Sequence, residues 1–341
     1  MISTRKLAEL AGVSQPTVSR CLNDRAGISP ETKERVRALA RENGYIIRKQ
    51  SKKTVCLARR RAMGVLIMRY QFFENLFTSQ LLYTLYDIIS DENYYAVPLP
   101  DCYGVGGVEK LRDLLSLNLI EGLIVVNRKF DMDLDDYLKK LQIPYIYLVY
   151  HLRNAPGQTN VVDTDNFTAG YIAAKHLIGL GHRRIATVTT PLDEFRDRTR
   201  GYQEALRESN IALDSNLILY AQPNYESCYD AVRNHINTLR KVTAVFTQFD
   251  VGAIGAMNAL QDEGYQIPGD ISLIGLDGME IGEMCRPKLT SVKQPIQDLA
   301  RTAVTQLLQM LDVPRSKTVA PVLLAPELIV RESTAPPRKG P

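Results

Sequence analysis

No stretch of the 341-residue chain approaches the roughly 18 uncharged apolar residues of a membrane-spanning helix, so none is expected. The first residues, Met1-Ile2-Ser3-Thr4-Arg5-Lys6, lack the apolar run of a signal peptide, so export is not expected. Cysteine is scarce. Cys21, Cys56, Cys102, Cys228 and Cys285 are scattered, odd in number and never spaced Cys-x-x-Cys. That pattern argues against a disulfide framework or zinc site and fits a reducing cytoplasm. The four histidines, His151, His176, His182 and His235, are isolated from one another in sequence. No metal site is expected, and His182, between a helical pattern and a strand pattern, reads as structural. His-Glu-x-x-His, Gly-x-Ser-x-Gly and the phosphate-loop motif are all missing. Gly104-Val105-Gly106-Gly107 misplaces the third glycine of a dinucleotide loop. Neither catalysis nor a cofactor is expected.

Acids are absent from Asn43 to Phe73. Residues 1–61 carry 15 Lys/Arg against 5 Asp/Glu, a net of +10, while the remainder carries 27 against 33, a net of −6. A short basic head on a mildly acidic body suggests a head that meets a polyanion. The composition, 45% apolar and 23% charged, is that of a folded globular chain. At about 150 residues per domain, the length suggests two domains with room for a small third.

The head carries a helical pattern. Leu7, Leu10 and Ala11 recur at helical spacing, and Gly12 suits the sharp turn that follows. Ser14 offers an N-cap for a second helix, and Pro16 falls in its first turn. Val18, Cys21 and Leu22 then point inward. A third helix is expected from Ser29 and Pro30, with Val36, Leu39 and Ala40 inward and Asn43-Gly44 ending it. Two short helices around a three-residue turn form a helix-turn-helix, whose second helix enters the major groove. Its outward residues, Gln15, Thr17, Ser19, Arg20 and Asn23, include no acid, which suits groove and phosphate contacts.

Ala8-x-x-Ala11-Gly12-Val13-Ser14-x-x-Thr17-Val18-Ser19-Arg20-x-Leu22-Asn23 resembles the head of LacI/GalR-type bacterial transcription regulators. Lys6 departs from the acid usual there. The resemblance implies base reading by Gln15, Pro16 and Arg20, and phosphate contacts by Ser14, Thr17, Ser19 and Asn23. The linker departs most. Pro-Asn is missing after Gly44-Tyr45, and the segment Ile46–Ala62 is about one residue longer than usual. Arg48, Lys49, Lys52 and Lys53 would meet phosphates, and Val55 or Leu57 would supply the hinge helix's minor-groove wedge. The other reading is a flexible basic linker that adds phosphate contacts alone.

From Met63 onward, apolar strand runs alternate with helical patterns, which implies parallel sheets covered on both faces. Strands are expected at Gly64–Met68, Tyr94–Val97, Gly122–Val126 and Tyr145–Leu148, with helices at Leu76–Ile89, near Val108–Leu117 and near Leu134–Leu141. After the Arg153–Asn160 loop the pattern restarts, with a helix over Ala169–Leu180 and strands at Arg184–Val188, Leu217–Tyr220, Ala244–Thr247 and Ser272–Ile274. Further family-like blocks are Gly181-His182-Arg183-Arg184-Ile185, Arg198-x-x-Gly201-Tyr202, Ile267-Pro268-x-Asp270-Ile271-Ser272 and Pro326-Glu327-Leu328-Ile329. The expected fold is a small all-α helix-turn-helix head plus an α/β body of two doubly wound parallel-sheet lobes, like periplasmic binding proteins. The expected division is a head at 1–45, a linker at 46–62, and a tail at 336–341. Lobe 1 takes 63–161 plus about 293–321, and lobe 2 takes 162–292 plus about 322–335.

The resemblance also implies effector contacts in the cleft between lobes. Arg198 and Asp277 would serve a polyhydroxyl ligand, the arginine as a donor fork and the acid as an acceptor. Phe72, Phe73 and Phe249 would add apolar contacts. A buried ion pair and core aromatics are the competing readings. Phe249-Asp250 where the family often has Asn-Asp, Gly278 after Asp277, and Val149-Tyr150 suggest a pocket more apolar than a hexose site. The expected protein is a cytoplasmic homodimer that binds a palindromic double-stranded operator, with affinity set by a sugar, glycoside or nucleoside-like effector. A repressor is the expected form. A periplasmic-type binding protein without DNA function is the alternative, and it would lack the basic head and carry a signal peptide.

Overall fold

The computed structural model describes residues 4–22, 28–42, 61–67, 76–99, 111–112, 115, 120–126, 137–138, 140, 143–149, 159–312 and 318–338. The chain divides into two compact units, Met1–Arg61 and Ala62–Pro341.

The first unit holds α1 (Thr4–Ala11), α2 (Gln15–Leu22) and α3 (Pro30–Glu42). Leu7, Ala8, Ala11, Val18, Cys21, Val36 and Ala40 form its core. Leu10 is a correction: it is 47% exposed, and Ala8 takes its place. At 100° per residue, Leu10 lies roughly 110° from the centre of the face set by Leu7, Ala8 and Ala11. Gly12 has φ +63° and closes α1. Its N–H donates to the Glu9 carbonyl at 3.3 Å, and the Val13 N–H donates to the Ala8 carbonyl at 3.1 Å. These two bonds satisfy carbonyls the helix end would leave open. Ser14 Oγ accepts from the Thr17 N–H at 3.3 Å, and Ser29 Oγ accepts from the Thr32 N–H at 3.3 Å, so both expected caps form.

From Arg61, the last residue of the first unit, the chain runs β1 (Arg61–Ile67), α4 (Leu76–Asp91), β2 (Tyr94–Leu99), β3 (Gly122–Val126), β4 (Tyr145–Leu148), β5 (Val161–Thr164) and α5 (Asn166–Gly179). It continues with β6 (Ile185–Thr189), α6 (Asp193–Glu208), β7 (Ile218–Tyr220), α7 (Tyr225–Asn234), α8 (Ile236–Leu239), β8 (Ala244–Thr247), α9 (Asp250–Asp262) and β9 (Ser272–Asp277). Last come α10 (Ile281–Met284), β10 (Thr290–Lys293), α11 (Ile296–Asp312), β11 (Val322–Leu324) and β12 (Glu327–Ile329). Leu111, Arg112 and Leu115 are helical, as are Tyr137, Leu138 and Lys140, where two further helices were expected.

Two six-stranded sheets result, ordered β11-β5-β4-β3-β1-β2 and β12-β10-β9-β8-β6-β7. Strands β3, β4, β6 and β8 are buried along their whole length, as strands covered by helices on both faces must be. The two sheets are the two doubly wound lobes. Strand β12 alone among the paired strands of the second sheet runs antiparallel to its neighbour.

The lobe crossings fall later than the sequence places them. Residues 162–164 and 322–324 pair within the first sheet, and Lys293 pairs with Asp277 in the second. Periodicity marks a buried strand but not the sheet it joins. The first lobe's cores gather Val65, Leu81, Leu85, Ile124, Ile146 and Leu307 on one face and Leu66, Leu111, Leu123 and Val125 on the other.

Candidate functional site

On α2, Gln15, Pro16, Ser19 and Arg20 are exposed and Thr17 is half-buried, with Ser14 exposed just before the helix. The buried residues of α2, Val18 and Cys21, face the other way. One helix thus presents a fork of guanidinium donors, an amide and hydroxyls on a rigid three-helix base. Asn23, Arg48, Lys49, Lys52, Lys53 and Leu57 lie outside the described residues, as do Phe72 and Phe73.

In the second lobe, two glycines decide where Arg198 stands. Helices α5 and α6 pack in direct backbone contact. A Cβ on Gly170 would lie 1.9 Å from the Arg198 carbonyl oxygen, and one on Gly201 would lie 2.0 Å from the Phe167 carbonyl oxygen. This close approach brings Arg198 Nε to Asn166 Oδ1, to which it donates at 2.8 Å. Arg198 Nη1 donates to the Gln248 carbonyl and lies 3.8 Å from Asp277 Oδ1. The guanidinium carbon stands 4.8 Å from the Phe195 ring centroid, a cation–π contact. Arg198 is only 5% exposed, so its charge is almost wholly met by these partners.

Phe249, expected in the cleft, is 5% exposed and belongs to the second lobe's core. It meets Phe195 edge to face at 5.6 Å. Phe195, which sequence reading missed, is therefore the aromatic that touches the arginine.

Asp277 ends β9 with φ +129°, a strained value for a non-glycine residue. Its Oδ1 accepts from Gln294 Nε2 at 2.8 Å. Asp250, at the start of α9, is fully buried. Its Oδ2 accepts from the Met279 N–H at 2.7 Å and its Oδ1 from Ser291 Oγ at 2.6 Å. Burial pushes both carboxyls above the ordinary carboxylate range. The Asp277 charge pushes Asp250 further, while Arg198 pulls Asp277 back. The two acids interact, so they release protons as a pair.

Gln248 completes the web. Its Nε2 donates to Thr199 Oγ1 at 2.9 Å and Thr187 Oγ1 at 3.2 Å, and its Oε1 accepts from Thr189 Oγ1 at 2.9 Å. A cavity of about 400 Å³ opens against Asp277, Gly278, Gln294 and Ile296 and reaches Gln80 of the first lobe. Asn166, Gln248 and Gln294 were not singled out from sequence. The signal available was that Gln248 directly follows the strand expected at Ala244–Thr247.

His182 bridges Thr243 Oγ1 and the Ala335 carbonyl, each at 2.9 Å, and His176 meets Thr334 Oγ1 at 3.0 Å. Both hold the segment after β12 against the lobe, which is a structural use. Among the described residues, no cluster of metal-ligating side chains forms and no helix is long and apolar enough to cross a membrane.

Comparison with known proteins matches both units. The family described as "Bacterial regulatory proteins, lacI family" matches residues 5–47, and "Periplasmic binding protein-like domain" matches residues 174–334. The HTH-type transcriptional regulator CelR of Thermobifida fusca is 30% identical over 333 residues, covering 96% of each chain. The HTH-type transcriptional repressor PurR of Vibrio atlanticus is 29% identical over 340 residues, covering 98% of each. The solved structure of a transcriptional regulator CelR–cellobiose complex superposes with a TM-score of 0.72 at 27% identity, covering 98% of this chain and 100% of the other. The basic helix-turn-helix head, the two-lobed body and this near-complete similarity place the chain in the LacI family of bacterial transcriptional regulators.

Proposed function

We propose that this regulator is a homodimeric repressor, working on the nucleoid in the cytoplasm, that releases or grips a palindromic operator according to a neutral, hydroxyl-rich effector. In the head, Arg20 pairs bidentately with a guanine and Gln15 with an adenine, while Pro16 contributes shape or contact with a thymine methyl. Ser14, Thr17, Ser19 and Asn23 position the head on phosphates. The linker bases Arg48, Lys49, Lys52 and Lys53 add salt-dependent affinity, and Leu57 is the candidate wedge. Paired heads on a two-fold dimer read two half-sites.

The observation that carries the effector reading is the Arg198–Asp277 pair, 3.8 Å apart in the second lobe, the arginine from α6 and the acid from the end of β9. An arginine fork beside a carboxylate suits vicinal hydroxyls, one group donating and the other accepting. A sugar, glycoside or nucleoside fits, and the cellobiose-bound relative supports the same chemistry. Phe72 and Phe73 would add apolar contacts to the effector, and Phe249 acts from behind by supporting Phe195. The repressor assignment is supported by similarity to relatives named as repressors.

The test is selection of source-genome fragments by the ligand-free protein near physiological salt, followed by titration of the selected operator complex. An enriched palindrome, and a midpoint moved by a neutral sugar, glycoside or nucleoside but not by sugar phosphates, is the expected result. Salt-sensitive binding to all DNA without enrichment overturns the operator reading. A response to sugar phosphates alone overturns the effector reading. Arg20→Ala is expected to abolish preference at one base pair of each half-site, and equal weakening on every sequence would reassign it to a phosphate.

A further inference from the structure

Gln294 is 2% exposed, and both ends of its amide are engaged. It stands directly after β10, where the chain leaves the second sheet for α11 of the first lobe. Its Oε1 accepts from Thr164 Oγ1 at 2.7 Å, and Thr164 is the last residue of β5, where the chain first leaves the first sheet. Its Nε2 donates to Asp277 Oδ1 at 2.8 Å, and its backbone N–H donates to the Asp277 carbonyl at 3.2 Å. An ionised carboxylate only accepts, so the amide nitrogen must face Asp277 and the amide oxygen Thr164.

We infer that Gln294 is a positioning residue that ties the cleft acid Asp277 to two lobe crossings through a Thr164–Gln294–Asp277 bridge. The bridge holds Asp277 in its strained backbone conformation and within 3.8 Å of Arg198. A ligand hydroxyl that takes the Asp277 carboxylate competes with the Gln294 amide. Release of the amide loosens its hold on Thr164, and the crossings then gain freedom to change the angle between lobes. The adjoining cavity of about 400 Å³ lets these segments shift without opening either core. Linkage makes the effect reciprocal: a change in lobe angle that stretches the bridge alters affinity at Asp277. This last step rests on the proposed reading of Asp277 as an effector contact; the bridge does not.

The test uses the full-length, ligand-free chain and its variants Gln294→Ala, Thr164→Val, the double variant, and Gln294→Glu. Denaturant midpoints and small-angle scattering are measured from pH 5 to pH 8. Gln294→Ala and Thr164→Val are each expected to lower the midpoint and enlarge the radius of gyration. The double variant is expected to lose no more than Gln294→Ala alone, because both remove one bridge. Gln294→Glu is expected to match the parent at pH 5, where one proton shared between its carboxyl and that of Asp277 keeps the hydrogen bond, and to fall to the alanine level at pH 8. The neighbouring charges Arg198, Asp250, Lys293, Asp298, Glu327 and Arg331 are common to all variants, so they do not produce that reversal. Additive losses, or a Gln294→Glu profile that tracks Gln294→Ala at every pH, would overturn the bridge. An effector panel that leaves operator binding unmoved, with the ligand-free series as expected, overturns the effector reading and leaves the bridge standing.

Discussion

In the head, the candidate functional residues are exposed and the core is a separate set of side chains. Gln15, Pro16, Ser19 and Arg20 face outward, while Leu7, Val18, Cys21 and Val36 do the packing. In the second lobe the two sets merge. Arg198, Gln248 and Asp250 are buried, and each bonds to residues that also hold the sheet and helices together. A surface that reads DNA can vary without touching the fold beneath it. A buried polar cleft cannot, because every changed partner leaves another group unpaired.

The comparison is sharpest at Arg198. Arg198→Ala strips Asn166 and Asp277 of a partner and leaves the buried Asp277 without its counter-charge. A loss of about 3–5 kcal/mol is expected from breaking such a buried pair. The loss should be largest at high pH. The carboxyls are raised above their unfolded values, so the folded state holds more protons, and stability falls as pH climbs from the ordinary carboxylate range upward. Removing the arginine steepens that fall. Denaturant unfolding at pH 5 and pH 8 that shows equal losses would break the argument. Gly201→Val comes next. Its new Cβ would collide with the Phe167 carbonyl oxygen, a backbone atom that cannot swing aside, and overpacking of about 1–3 kcal/mol or more is expected by calorimetry.

Histidine titration tests the same lobe from its far end, with the opposite sign. Burial lowers both His176 and His182 below the ordinary imidazole value, with the His182 charge adding to the shift at His176. The unfolded chain then binds more protons, so this contribution is present above about pH 6.5 and is lost as pH falls below it. His176→Gln should flatten the acid side of the stability profile, as read by denaturant unfolding between pH 5 and pH 7. An unchanged acid limb would show that the segment after β12 is held by its other bonds alone. The smallest effect is expected in the head. Arg20→Ala should change the unfolding midpoint by no more than about 0.5 kcal/mol while it removes base preference. A large loss of stability there would erase the distinction between head and lobe.

Those expectations follow how each region was legible. The head's signals lie within a turn or two: a serine cap, a glycine with φ +63°, and apolar residues three and four apart. Leu10 was misplaced because three apolar residues at helical spacing do not say which of them is at the edge of the stripe. In the cleft, Arg198 and Asp277 were found by resemblance, but their partners were not. Asn166 and Arg198 are 32 residues apart, Gln248 and Thr187 are 61 apart, and Thr164 and Gln294 are 130 apart. No local spacing encodes such a pair. Phe249 misled for the same reason. An aromatic just after a strand can face the cleft or turn under the next helix, and its contact with Phe195 decides for the core.

The sequence by itself determined the basic head, its caps and turn, and the alternation of buried strands with helices. These depend on periodicity, on backbone dihedrals that few residues tolerate, and on charge, all of which act over a few residues. Tertiary structure alone decided which sheet each crossing strand joined, which aromatic met the arginine, and that an amide at a crossing holds the acid of the cleft. Those outcomes depend on two helices approaching to backbone contact and on buried polar groups finding partners across the fold. In a low-dielectric interior, an unmet donor or charge costs more than any local preference can supply.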